Sequence, residues 1–418
     1  MKSVCVTTKP IITKIKDVNR LVFHIFFPME YSKDNIINKI LLRRMLYTGS
    51  KKYNTPEKLG LALDSKLIMS YNINFSTMYN QEFLDFRLCV PKEGIVDDFS
   101  LDEALDLFHE MIFNPNIDGE AFNNQQFNYE KDYLISRQSE FPQSINEFAY
   151  EEFNKFIDPD EIDDISHDTY MKLLNEVTPE SVYNYYEQII KNNSFFTFIG
   201  GAFDDEEKLL NTFNKYFKQE EKEIHFDIEF FNIHKVEDYQ EKVFKKDYNQ
   251  SMLCLHYNFK GYTEDEYIKL SLLSFILDAP ENNLLFNKLR RENNLIYTFN
   301  FRSLKMRGFM DIILYLDKND IDKAKELVDE VFDSIKDKEL FETCKNRTIK
   351  AMGYDLLSTE DDPFYDFNIK MSSIMSYDWD LESKIERIKE VSYDDMMEFL
   401  SRMVHTKTMI IESGDNHE

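Results

Sequence analysis

Residues 176–201 read EVTPESVYNYYEQIIKNNSFFTFIGG and residues 390–415 read EVSYDDMMEFLSRMVHTKTMIIESGD; the two align without a gap at an offset of 214 residues. Val177 matches Val391, Tyr185 matches Phe399, Ile189 matches Met403 and Gly200 matches Gly414. Each begins with a hydroxyl residue, Thr178 or Ser392, placed to cap a helix, and the acidic residues that follow suit the positive end of a helix dipole. Apolar residues then recur at three- and four-residue spacing, and a short apolar run ends at glycine. That pattern predicts a helix followed by a strand. One segment closes the first half of the chain and the other closes the second, so a duplicated architecture is expected.

The flanking sequence agrees. In the first half RLVFHIFFP (20–28) predicts a strand, DNIINKILLRRMLY (34–47) and TPEKLGLALDSKL (55–67) two helices, and SYNINFSTMYNQEFLDFRLCV (70–90) a strand pair. Long helices are expected from about Leu101 to Ile190. In the second half EKVFKKDYNQSMLCLHYNF (241–259) predicts a strand pair. DEYIKLSLLSFIL (265–277) and NNLLFNKLRRE (282–292) predict helices, and LIYTFNFRSL (295–304) and GFMDIILYL (308–316) predict strands. The charged stretch FKQEEKEIHFDIEFFNIHKVEDYQ (217–240) lacks helical periodicity and reads as a linker. The expected fold class is α+β: two homologous halves, each a mainly antiparallel sheet with helices packed on it. Their bounds are 1–217 and 239–418, with 218–238 as the charged linker.

Composition narrows the function. The chain has 418 residues, 43% of them apolar and 15% aromatic, with only 10 Gly and 10 Pro, which describes a folded globular protein with large cores. Acidic residues outnumber basic ones 77 to 50, for a formal charge of -27, and no long basic run occurs. Nucleic acid and anionic membrane surfaces are therefore not expected partners. The acidity reads as solubility or, more sharply, as an acidic chamber that attracts basic peptides. Cys5, Cys89, Cys254 and Cys344 lie far apart, which suits a reducing compartment. With no signal-like N-terminus and no uncharged run of about 18 residues, the expected location is cytoplasmic.

Two segments carry the chemistry. In NNLLFNKLRRENNLIYTF, Asn282 to Phe299, an apolar helix ends in Arg290, Arg291 and Glu292, turns at Asn293 and Asn294, and leads into a strand with Tyr297 near its start. Asn is the residue after Gly that best tolerates the left-handed conformation that stops a helix. This segment resembles the "R-L-F-x-x-L-R-E-x-x-G-L-A-Y" run in the second half of the insulinase/pitrilysin-type zinc peptidases. Asn294 replaces the family glycine, and the family Arg and Tyr, seven residues apart, match Arg290 and Tyr297. The resemblance implies that this pair grips a peptide substrate beside the scissile bond, as fixed donors able to hold an oxyanion. On the residues alone, a surface arginine and a strand tyrosine that merely pack together fit as well.

The other segment is NKILLRRMLYTGSKKY, Asn38 to Tyr53. It resembles the same family's zinc helix, His-x-x-Glu-His followed by "M-L-F-K-G-T", with the frame kept and the ligands replaced. The resemblance places Ile40 and Arg44 at the two histidine positions and Arg43 at the general-base glutamate. In YEKDYLISRQSE, Glu130 takes the early acidic position of the third-ligand helix and Arg137 the ligand position itself. Isoleucine has no lone pair for a metal, and arginine neither accepts nor deprotonates. The eight histidines form no HxxH, HxxxH or HExxH pair, so a zinc site could come only from residues distant in the chain. The expectation is no metal, no cofactor and no catalytic residue in this chain. What the resemblance implies instead is a non-catalytic subunit. Its partner would be a homologous zinc-binding chain in a heterodimer that cleaves a peptide, such as the leader of a ribosomally made peptide. The competing expectation is a stand-alone peptide-binding or scaffold protein.

Overall fold

The computed structural model describes residues 2–30, 32–78, 81–138, 144–157, 166–191, 194–228, 232–279, 283–358, 362–364, 370 and 381–414. The chain divides into two units. The first comprises Met1–Ser139, Asp164–Phe230 and Leu357–Asp378; the second comprises Glu140–Asp163, Phe231–Leu356 and Trp379–Glu418.

In chain order the elements begin with β1 (Lys2–Thr7), β2 (Ile11–Lys14), β3 (Arg20–Glu30), α1 (Ile36–Thr48), α2 (Pro56–Ser65), β4 (Ser70–Met78) and β5 (Gln81–Pro91). Helices α3 (Leu101–Phe113), α4 (Asn124–Gln138), α5 (Ile145–Ile157), α6 (His167–Glu176) and α7 (Pro179–Lys191) follow. Then come β6 (Phe196–Gly201), α8 (Glu206–Phe217) and β7 (Glu223–Ile228). The first sheet has the order β2-β6-β3-β5-β4, antiparallel except for the β2–β6 pair. Its central strand alternates. Phe23, Ile25 and Phe27 face a core shared with Leu41, Leu42 and Met45 of α1, and Val182 and Tyr186 of α7. On the other face Phe26 stacks on Phe196 at 5.0 Å, and Phe226 of β7 stands edge-on to Phe83 at 5.7 Å.

The remaining elements are β8 (Gln240–Lys245), β9 (Ser251–Phe259), α9 (Tyr267–Leu277), a short α10 (Leu284–Phe286), β10 (Ile296–Leu304) and β11 (Phe309–Leu316). They end with α11 (Ile321–Ser334), α12 (Lys338–Ser358), α13 (Leu381–Glu390), α14 (Tyr393–Ser401) and β12 (Met403–Glu412). The second sheet, β8-β12-β9-β11-β10, repeats the first strand for strand, with its one parallel pair, β8–β12, at the matching end. The α+β duplication is therefore present. Both expected caps form as well. Ser392 and Asp395 bond reciprocally, and the Thr178 hydroxyl accepts from the Ser181 amide at 3.2 Å.

Three expectations change. The ungapped match does not survive in detail, because α14 stops at Ser401 and Met403 already opens β12, whereas its counterpart Ile189 is still inside α7. The strand pair expected over 241–259 forms two strands, but β12 lies between them. The charged, exposed β8 suits an edge position, and the apolar β12 suits the interior. Finally, the proposed linker at 218–238 contains β7, which pairs antiparallel with β1 (Val4 opposite Phe226, Val6 opposite Ile224) and buries Ile224 and Phe226. Its residues 229–231 lie outside the described residues.

The unit boundaries also differ from 217 and 239, because both sheets are apolar on both faces and each borrows cover from the other half of the chain. Helix α5 belongs to the second unit, where Ala149, Phe153, Phe156 and Ile157 pack on Met252, Cys254, Tyr315, Met409 and Ile411. In return, Asp362 pairs with Arg20 at 3.1 Å and the Phe364 ring lies 4.6 Å from the Arg87 guanidinium in the first unit. Phe153 is 1% exposed. Phe153→Ala is expected to destabilise the protein by about 3–5 kcal/mol in urea unfolding, against less than about 0.5 kcal/mol for Tyr354→Ala on the surface.

Candidate functional site

Helix α1 forms because Ile37, Leu41, Leu42, Met45 and Leu46 recur on one face and are buried in the first core. The opposite face carries Ile36, Ile40, Arg43, Arg44 and Tyr47 into a cavity of about 600 Å³, which Asn74, Phe75, Leu134 and Arg137 also line. The four positions Ile40, Arg43, Arg44 and Arg137 thus meet in one pocket. Arg137 comes from the last turn of α4, ninety-three residues beyond Arg44 in the sequence.

Each cation is held differently. Arg44 Nε donates to Glu130 Oε2 at 2.5 Å, and its guanidinium lies 4.3 Å from the centre of the Tyr133 ring. Glu130 is buried, so this pair answers the desolvation of its carboxylate. Lys39 Nζ is 2.6 Å from Glu82 Oε2 and donates to the Ser32 carbonyl at 2.9 Å. Burial raises the Glu82 carboxyl, against the downward pull of Lys39. Arg43 Nε donates to the Ile73 carbonyl of β4 at 2.8 Å, and Arg137 is exposed. The last turn of α1 is pinned to β4 by a reciprocal pair, with Tyr47 Oη donating to the Tyr71 carbonyl at 3.1 Å and Tyr71 Oη to the Tyr47 carbonyl at 3.0 Å.

Zinc does not fit this donor set. Ile40 has nothing to give, the three arginines repel a divalent cation, and the nearby Glu130 carboxylate is already engaged by Arg44. Among the described residues one other group of metal-type donors comes together: Cys5, Glu223 and His225, all exposed on the β1–β7 ribbon with their ligand atoms within 4.8 Å of one another. No local spacing points to it, because Cys5 meets His225 only through strand pairing. Three solvated side chains fall short of a closed four-ligand site.

In the second unit α10 runs into a widened helical turn, Asn287–Glu292, that carries Arg290, and Tyr297 follows on the edge strand β10. Asn294 sits in the left-handed region at φ 49°, as its position in the turn requires. Arg290 Nη1 donates to the Ile296 carbonyl at 2.8 Å and to Asn294 Oδ1 at 3.0 Å. Tyr297 Oη donates to Asp317 Oδ1 at 2.9 Å, and this bond together with Asp317's charge raises the phenol above its usual range. Tyr297 is nonetheless 54% exposed. The quoted segment's first residue, Asn282, lies outside the described residues, as does His417.

The fold is a duplicated α+β chain, and arginines line the pocket on α1. The family model described as "Peptidase M16 inactive domain" matches residues 176–348. The chain is 24% identical over 362 residues to "Probable inactive metalloprotease YmfF" of Bacillus subtilis, covering 83% of this chain and 81% of that protein. Its fold matches a conserved protein from Enterococcus faecalis at TM-score 0.78 and 20% identity, over 97% of this chain and 96% of that one. It also matches the periplasmic protease PqqL of Escherichia coli at TM-score 0.66 and 10% identity, covering 96% of this chain but 44% of that one. Residues 176–348 are thus similar to the inactive domain of M16 peptidases, and most of the chain is similar to a protein described as an inactive metalloprotease. No described helix is long and apolar enough to cross a membrane.

Two predictions follow from the pocket. Ile40→His, Arg43→Glu and Arg44→His together are expected to bind no stoichiometric zinc by elemental analysis while Arg137 stays, and adding Arg137→Glu is expected to raise the zinc content. Glu130→Gln, which strands the Arg44 charge, is expected to lower the unfolding free energy by about 1–3 kcal/mol, less than for a fully buried pair because Arg44 reaches solvent.

Proposed function

We propose that this chain is the non-catalytic subunit of a heterodimeric zinc peptidase, whose partner is a homologous chain carrying an intact His-x-x-Glu-His helix. Arg290 and Tyr297 then complete the partner's site and hold the backbone of a peptide, with a leader peptide of a ribosomally made product as the substrate class. The observation that carries this reading is a donor pair kept at the surface of a chain whose own metal positions are filled by arginine. Among the described residues Arg290 commits Nη1 alone, to its own loop, which leaves Nη2 and Nε to hold a carbonyl or an oxyanion. Four free thiols, three of them buried, agree with a reducing, cytoplasmic setting.

A specific observation favours the second reading, a peptide-binding or scaffold protein with no catalytic partner. Arg290 and Tyr297 both already bond within their own loop and strand, to Ile296, Asn294 and Asp317. A neighbouring gene for a similarly sized chain with His-x-x-Glu-His would favour the mixed dimer. In a complex reconstituted with that chain, Arg290→Ala or Tyr297→Phe is expected to lower peptide turnover by about 100-fold or more. Assembly, read by size-exclusion chromatography, is expected to stay intact. Unchanged turnover in both variants would favour the scaffold.

A further inference from the structure

We propose that the pocket on α1 is a binding site for a carboxylate carried on a peptide, occupying the space where active relatives would hold a metal. The pocket gathers Lys39, Arg43, Arg44 and Arg137, and among the described residues Glu82 answers Lys39 and Glu130 answers Arg44. Among the described residues neither Arg43 nor Arg137 is paired with a carboxylate. Arg43 spends Nε on the Ile73 carbonyl and keeps its terminal amino groups, and Arg137 is exposed. In a chain with 77 acidic residues and a formal charge of -27, two unanswered guanidinium groups in one cavity leave a local positive field that runs against the rest of the protein.

The chemistry of the lining selects the ligand. A guanidinium is planar and forked, and its strongest partner in this setting is a two-oxygen anion held by parallel N–H bonds. Ile36, Ile40, Phe75 and Leu134 supply apolar walls that exclude water and strengthen the ion pair. Those walls also suit a hydrocarbon stem behind the charge. A carboxylate on an apolar stem has two peptide sources, the chain's C-terminus and a glutamate or aspartate side chain.

The test uses the full chain alone, so its outcome does not depend on Arg290, Tyr297 or any partner. Isothermal titration at low salt would compare N-acetylated hexapeptides ending in a free leucine carboxylate, the same peptides amidated, amidated peptides with one internal glutamate, and inorganic phosphate. Binding of either carboxylate peptide and not of the neutral amide is expected, weakening as salt is raised. The arm that binds identifies the source. Arg137→Ala is expected to weaken binding about 10-fold or more. Arg43→Lys, which keeps the charge and loses the fork, is expected to weaken it as well. Arg137 is exposed and its replacement leaves the fold intact, which circular dichroism would verify. Equal binding of amide and carboxylate, full affinity in Arg137→Ala, or binding of phosphate alone would overturn the proposal.

Discussion

Two sheets that are apolar on both faces impose the constraint from which the rest follows. In each, the central strand is buried through its middle or along its whole length: β3 from Leu21 to Phe27 in the first unit, and all of β9 in the second. A strand of that kind needs cover above and below. The helices of its own half supply one layer. The second layer comes from elsewhere: the β1–β7 ribbon and Phe364 for the first sheet, and α5 for the second. Burial therefore ties distant parts of the sequence into each unit.

The same constraint positions the pocket. Helix α1 is laid on the first sheet by Leu41, Leu42 and Met45, and its last turn is pinned to β4 through Tyr47 and Tyr71. That fixed seat turns Ile40, Arg43 and Arg44 toward the end of α4. One face of α1 is thus apolar and packed, while the other presents cations to the pocket. Glu130 remains, buried, and Arg44 now neutralises it. The pocket is not electrostatically neutral, since Arg43 and Arg137 add charge without a matching carboxylate among the described residues.

Each sheet also buries a polar pair between its central strand and the next. His24 on β3 bonds Asp85 on β5 at 2.9 Å, and His256 on β9 bonds Asp311 on β11 at 2.6 Å. Arg302 joins the second pair, and burial lowers the His24 imidazole against the pull of Asp85. The offset of 214 residues between the closing segments does not relate these pairs, because His24 bonds the residue opposite Phe26 whereas His256 bonds the residue directly opposite itself. Duplication persists at the level of strand order after registers and side chains have drifted.

Local pattern alone determined that the chain is α+β and duplicated, that Thr178 and Ser392 cap their helices, that Asn294 ends a helix in the left-handed region, and that α1 bears no metal ligands. These properties depend on residues within a turn or two of one another, so the sequence states them directly. The tertiary structure decided which segments cover which sheet, that β12 separates β8 from β9, that 223–228 is a strand rather than a linker, and that Cys5 meets His225. It also decided that Arg43 and Arg137 share a cavity with, among the described residues, no carboxylate paired to either. Such facts depend on contacts across tens to hundreds of residues, where burial on both faces of a sheet, and not periodicity, selects the partner.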